Sequence, residues 1–216
     1  MIRVHDMGGA KSIATVSPQP NEPTFHHDWE RRAFALTLAM GATGRWSIDM
    51  SRYARETLPP EQYLSSSYYE IWLAALSTLI VREGLATEEE VKRGKPLSDG
   101  VPLHRLAARD VPAVLSRGTD YSRPLTAPPR FRLGDRVRAA AVVSSGHTRL
   151  PGYVQGRCGV ITVLHGGFVF PDSHAHGKGE DPRWLYGVKF TAEELWERAA
   201  ADSVHVDCWE PYLEPP

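Results

Sequence analysis

The sequence predicts an α+β fold: an N-terminal extended arm and helical domain with its linker over 1–126, then a small β-barrel domain over 127–216. Three observations predict it. Apolar residues recur at helical spacing after Asp28. The period shifts to two after Pro129. Between these regions, 94–130 is broken repeatedly by Gly and Pro, too long and irregular for a loop inside one domain.

The elements follow in order. Residues 1–27 lack periodicity and are punctuated by Gly8-Gly9, Pro18, Pro20 and Pro23, so they are expected to fray or to lie along a partner. A first helix is expected from Asp28, with Asp28 as its N-cap, Trp29, Ala33, Leu36 and Met40 on one face, and Gly41 and Gly44 ending it. A second starts at Ser47 and ends before Pro59-Pro60. A third runs over 67–83, with Trp72, Leu76, Leu79 and Ile80 as its stripe and Gly84 as its stop. Thr87-Glu88-Glu89-Glu90 forms a capping box opening a short fourth helix. One more short helix is expected near 103–109. Strands are expected at 136–143, 159–164, 167–170, 185–190 and 204–209, separated by turns at Gly134-Asp135, Gly166-Gly167 and Pro171-Asp172. So many short strands in so few residues suggest a closed barrel without exposed edges, of the SH3-like kind. No internal repeat is visible.

With 216 residues, 42% hydrophobic and 24% charged, the chain can bury a substantial core. A net charge of -1 provides no global basic field for nucleic acid or an anionic membrane. No apolar run approaches the ~18 residues of a membrane helix, and the opening lacks the apolar centre of a signal peptide; the expected location is the cytoplasm. Cys158 and Cys208 are the only cysteines, which excludes a disulfide framework and a four-thiolate metal site built from this chain alone. Of 25 Lys and Arg, 20 are Arg, which fits planar ion pairing and equally fits genome composition.

No nucleophile elbow, phosphate loop or zincin motif is present, so self-sufficient catalysis is not indicated. His165, Asp172, His174 and His176 are a candidate metal cluster on residue type, but 171–179 reads as a hairpin loop without a third fixed ligand. His26, His27, Asp28 and Glu30 form a similar cluster in which a cap explains Asp28 better. Arg52 and Arg55 stand on the second helix, and Arg149 follows Gly146-His147-Thr148 between the first two strands.

Many segments, in order, resemble nitrile hydratase beta subunits. They are His5-Asp6-Met7-Gly8-Gly9, Asn21-Glu22-Pro23, Phe25, Trp29-Glu30, Ser51-Arg52-Tyr53-Ala54-Arg55-Glu56, Tyr63-Leu64, and Ser67-Tyr68-Tyr69 with Trp72. In the second half follow Phe131, Gly134-Asp135, Gly146-His147-Thr148-Arg149, Gly156, Gly159, His165-Gly166, Tyr186-Gly187-Val188-Lys189-Phe190, Glu194-Leu195-Trp196 and Asp207-Cys208-Trp209-Glu210-Pro211-Tyr212. The resemblance spans nearly the whole chain. It departs at Ser12-Ile13-Ala14, where the family has more Gly, and at Gln155, where Arg is expected.

The resemblance implies hydration of a nitrile to an amide at a non-haem Fe(III) or Co(III) held by an alpha-subunit partner, with no metal bound by this chain. The partner's ligands are cysteine sulfurs, two of them oxidised, and backbone nitrogens. Arg52 and Arg149 are implied to hydrogen-bond the oxidised sulfurs, and Tyr68 the substrate. Glu56, His147 and Arg55 are implied as outer hydrogen-bond partners, and Ile48, Ser51 and Trp72 as pocket lining. An alpha-beta heterodimer, paired again into a heterotetramer, is implied as well. Three alternatives stand beside this reading: a subunit of a thiocyanate hydrolase-like enzyme, a non-catalytic metal-delivery activator resembling the N-terminal half, and a plain SH3-like binding module with a helical extension, which leaves the N-terminal resemblance unexplained. The fusion of both halves and the barrel carrying Arg149 weigh against the first two.

Overall fold

Residues 4–8, 17–141, 146–197 and 201–216 are described by a computed structural model. Gly9, residues 12–14 and the expected strand residues 142–143 lie outside them. The chain divides into two units, Ala10–Gly118, and Met1–Gly9 with Thr119–Pro216.

The first unit is helical. Its elements are α1 (Asp28–Gly41), α2 (Ile48–Glu56), α3 (Pro60–Ser65), α4 (Tyr68–Arg82), α5 (Glu88–Arg93) and α6 (Val111–Arg117). Local capping explains where they start. The Ser47 hydroxyl accepts from the Met50 amide at 3.2 Å and opens α2. Glu70 reaches back to the Ser67 amide at 2.7 Å, and Glu90 to that of Thr87 at 2.7 Å. The expected cap Asp28 is instead the first helical residue. Glu30 Oε2 accepts the amides of His26 (2.6 Å) and His27 (3.1 Å), so the carboxylate one turn in satisfies the orphan donors. The helix expected near 103–109 lies later, as a 3-10 turn at Ala108–Asp110 running into α6, with Pro112 in the first turn. A small core of Trp46, Ala54, Ala75, Leu76 and Leu79 joins α2 to α4.

The second unit is built on an antiparallel sheet of β1 (Arg136–Ala139), β2 (Cys158–Phe168), β3 (Arg183–Thr191), β4 (Ser203–Trp209) and β5 (Leu213–Glu214), ordered β4-β3-β2-β1-β5. Registers such as Val137↔Gly159 and Val188↔Val206 align it. Among the described residues no ladder joins β4 to β5. The two strands expected at 159–164 and 167–170 are one: β2 runs through Gly166-Gly167 with a register shift beside Gly166, whose φ of +105° suits glycine at a bulge. The hairpin loop expected at 171–179 opens with a helical turn, α7 (Pro171–His174), and α8 (Ala192–Trp196) follows β3. The core holds Phe131, Val137, Val154, Ile161, Tyr186, Val188, Phe190 and Tyr212. Asp6 tethers the arm to this unit by accepting the Gly152 amide at 2.8 Å. The described residues include no helix long and apolar enough to cross a membrane.

Candidate functional site

On the helical unit, most of the residues singled out converge on α2 and the start of α4. The buried Asp49 accepts from Arg52 Nη1 at 3.0 Å, one helical turn away. The Arg52 side chain is 38% exposed, so its guanidinium is anchored at one edge and accessible elsewhere. Arg55 is held within the same helix. Its Nε donates to the Ser51 carbonyl at 3.2 Å and its Nη2 to the Ser51 hydroxyl at 3.0 Å. Its guanidinium stands over the Trp72 ring at 4.5 Å, a cation–π geometry. Burial lowers the Arg55 pKa, partly opposed by the nearby Tyr68 and Glu56; Arg52 nearby adds to the lowering. Tyr68 is exposed and contacts Tyr69 and Trp72, with ring centroids at 5.2 and 5.4 Å. Phe25 and Phe34 extend this aromatic cluster. Ile48 is exposed at the start of α2. The unit thus presents two anchored guanidiniums, that of Arg55 packed on an aromatic surface with the Tyr68 phenol against it.

On the sheet unit, the segment 146–149 carries His147 and Arg149. His147 is buried and the Arg149 side chain is exposed. Arg149 is held by its backbone: its amide donates to the Tyr212 hydroxyl at 3.1 Å. Tyr212 in turn donates to Asp172 Oδ1. Burial draws the Asp172 carboxyl up to about 6, against the opposing influence of the Tyr212 hydrogen bond and of His147 and His176. Burial and the adjacent Asp172 also raise the Tyr212 phenol, which keeps its proton as donor. The His176 Nδ1–H donates to the Asp172 carbonyl at 2.7 Å, and a Cβ on Gly146 would stand 2.5 Å from the His176 ring. Gln155, where Arg was expected, donates to the Leu150 carbonyl at 3.4 Å.

Sequence reasoning missed three supports. Asp49 was legible in principle as an i, i+3 partner of Arg52. Tyr212, and Asp172 in its actual role, carried no local signal because their partners lie 63 and 40 residues away.

The histidine clusters resolve into other contacts: His165 Nε2 meets Asp207 at 2.9 Å, and His26 Nε2 meets Gln19 at 3.3 Å. Among the described residues, no group of three or more His, Cys, Asp or Glu is placed to hold a metal ion. Burial pushes the Cys208 thiol up to about 12, which disfavours the thiolate a metal requires. The described residues therefore do not fit a metal centre within this chain.

Two family models match the chain: "Nitrile hydratase beta subunit, N-terminal" over residues 1–114 and "Nitrile hydratase beta subunit, C-terminal" over 120–215. It is 38% identical over 222 residues to the low-molecular weight cobalt-containing nitrile hydratase subunit beta of Rhodococcus rhodochrous, covering 98% of each. It is 38% identical over 220 residues to the nitrile hydratase subunit beta of Pseudomonas putida, again covering 98% of each. The thiocyanate hydrolase subunit alpha of Thiobacillus thioparus matches at 30% over 89 residues, 39% of this chain and 71% of that one.

Proposed function

The chain belongs to the nitrile hydratase beta-subunit family, and we propose that it acts by presenting Arg52 and Arg149, one from each unit, to the alpha subunit's metal centre. It is the beta subunit of an enzyme that hydrates nitriles, R–C≡N + H2O giving R–CONH2, at a non-haem Fe(III) or Co(III) held by the alpha subunit. The observation that carries this is the match of both halves, in one chain, to relatives over 98% of the length on either side. A thiocyanate hydrolase-like subunit accounts for only 39% of the chain, and a metal-delivery activator leaves 120–215 without a purpose.

The metal supplies Lewis acidity when bound. The work assigned to this chain is positioning. Planar, permanently charged guanidinium forks suit the oxygens of the alpha subunit's two oxidised cysteine sulfurs. Asp49 supports this for Arg52 by fixing its orientation before the partner arrives. Tyr68 places its hydroxyl against the substrate, while Ile48, Ser51 and Trp72 line the pocket for a small nitrile. Arg55, Glu56 and His147 steady these groups from behind. In this reading the sheet of the second unit belongs to an SH3-like barrel over 127–216, following the helical domain of 1–126. The complex is an alpha-beta heterodimer paired into a heterotetramer in the cytoplasm.

Replacing Arg52 or Arg149 by Lys tests the reading. Lys keeps the charge and loses the planar fork, so turnover should fall roughly 10–100-fold or more in a complex that still assembles and retains its metal-thiolate visible absorption. Near-normal turnover with an unchanged spectrum in both variants would make these arginines ordinary surface residues.

A further inference from the structure

We propose that Asp172 is a positioning residue for Arg149, its carboxylate acting through the Tyr212 hydroxyl to fix the backbone from which the Arg149 side chain projects. The inference rests on the role proposed above for Arg149. Three separate elements meet in this relay: the 146–149 segment, α7 with Asp172, and the 3-10 turn Glu210–Tyr212.

The chemistry favours a directed chain. A phenol has one proton to give, and it goes to Asp172. The same oxygen then accepts the Arg149 N–H. Donation to an anion is about twice as strong as donation to a neutral acceptor, and it makes the phenol oxygen the better acceptor. Tyr212 is 2% exposed and Leu150, next to Arg149, is also 2% exposed, so the relay ends beside buried side chains. Arg149 itself is exposed, and no neighbouring carboxylate steadies its guanidinium among the hydrogen bonds and ion pairs of the described residues, unlike Arg52. Its aim is therefore set largely at its own backbone.

The titratable groups facing Asp172 are Tyr212 from the 3-10 turn, His147 from the 146–149 segment and His176, two residues beyond α7. Burial outweighs all three and brings the carboxyl up to about 6. Near neutral pH the anion holds Tyr212. As pH falls through this region the carboxyl takes a proton, the Tyr212 bond becomes neutral, and the hold on Arg149 weakens.

The test uses the assembled, metal-loaded alpha-beta complex, with kcat and KM for acrylonitrile measured between about pH 5 and 8. The unsubstituted enzyme should show an acid limb in kcat near the Asp172 transition. In Asp172→Asn, kcat should fall about 10-fold at neutral pH, KM should stay within about twofold, and that limb should disappear. Tyr212→Phe should give a similar kcat loss, and adding Asp172→Asn to it should cost nothing more. A purely structural Asp172 would lower thermal stability and leave the pH profile alone. If Asp172→Asn keeps both kcat and the acid limb while Arg149→Lys is inactive, the role of Asp172 is overturned and that of Arg149 survives. If Arg149→Lys turns over normally, the reading of Arg149 fails and the inference falls with it. Should Asp172→Asn not assemble, Tyr212→Phe decides by the same split between kcat and KM.

Discussion

The two units hold their arginines in opposite ways. In the helical unit, Asp49 grips the Arg52 guanidinium directly from one turn away, on a helix that Ser47 caps. In the sheet unit, Arg149 is gripped by its amide, through Tyr212 and Asp172, which the chain reaches only after long excursions. The first arrangement forms once a single helix forms. The second exists only when the sheet, α7 and the final 3-10 turn have all come together. Local support tolerates damage elsewhere in its unit; assembled support does not.

The sheet unit is accordingly where a distant substitution should do most harm. A Cβ on Gly167 would stand 2.3 Å from the Arg123 carbonyl and 2.5 Å from Leu125 Cγ, while the Arg123 amide donates to the Gly167 carbonyl at 2.8 Å. Backbone on one side and a hydrogen bond on the other leave no room to yield. Gly167→Ala should destabilise the complex by about 1–3 kcal/mol, the usual range for overpacking. Turnover should fall with it as temperature rises, while amide protection of α2 and α4 changes little. Thermal unfolding together with hydrogen exchange checks this; equal loss of protection in both units would erase the contrast between them.

The same contrast governs what the sequence reveals. Helix starts at Ser47, Ser67 and Thr87 are readable because the cap and its partner lie within one turn. The start of α1 was misread by one residue because two acidic side chains competed for the role, and Glu30, not Asp28, is the one that turns back to the free amides. Strand periodicity located the sheet, yet the Gly166-Gly167 pair looked like a turn when it is a bulge inside β2, a difference decided by pairing with β3. The identity of Arg52 and Arg149 as candidates came from resemblance. Their supports differ: Asp49 could be found by spacing, whereas nothing near position 149 points to Tyr212 or Asp172.

Asp49→Asn sharpens the comparison from the local side. Asn keeps the size and one acceptor oxygen but loses the charge that makes the bond to Arg52 Nη1 strong. Turnover should drop about 10-fold, as for other groups that orient a reacting centre indirectly. In an Arg52→Lys background the same change should cost little more, since the two residues act as a unit. Fully additive losses would mean that Asp49 serves the fold and leaves Arg52 unaffected.

The smallest effect expected is at the far end of the helical unit, and it tests whether local capping there depends on charge. Glu90 accepts from the Thr87 amide at 2.7 Å, the Thr87 hydroxyl at 2.9 Å and the Leu97 amide at 2.8 Å. These bonds, that from Leu97 first, bring its carboxyl down to about 2 from an ordinary 4.5. A depressed carboxyl favours the folded helix while it is ionised in both states, so its contribution is complete above about 4.5 and is lost as pH falls through about 2. The residue is only partly buried, and solvent screens much of the effect. Glu90→Gln keeps one acceptor oxygen and removes the charge. At neutral pH, amide exchange across α5 and up to Leu97 should be modestly faster in the variant, with α2, α4 and turnover unchanged. On acidification below about 4.5 the unsubstituted chain should lose that protection and approach the variant, whose own exchange protection should change less over the same range, α5 keeping its Glu89–Arg93 pair in both. Protection in α5 that is independent of both pH and the substitution would show that Thr87 alone, through its hydroxyl bond to the Glu90 amide at 3.2 Å, suffices to start this helix.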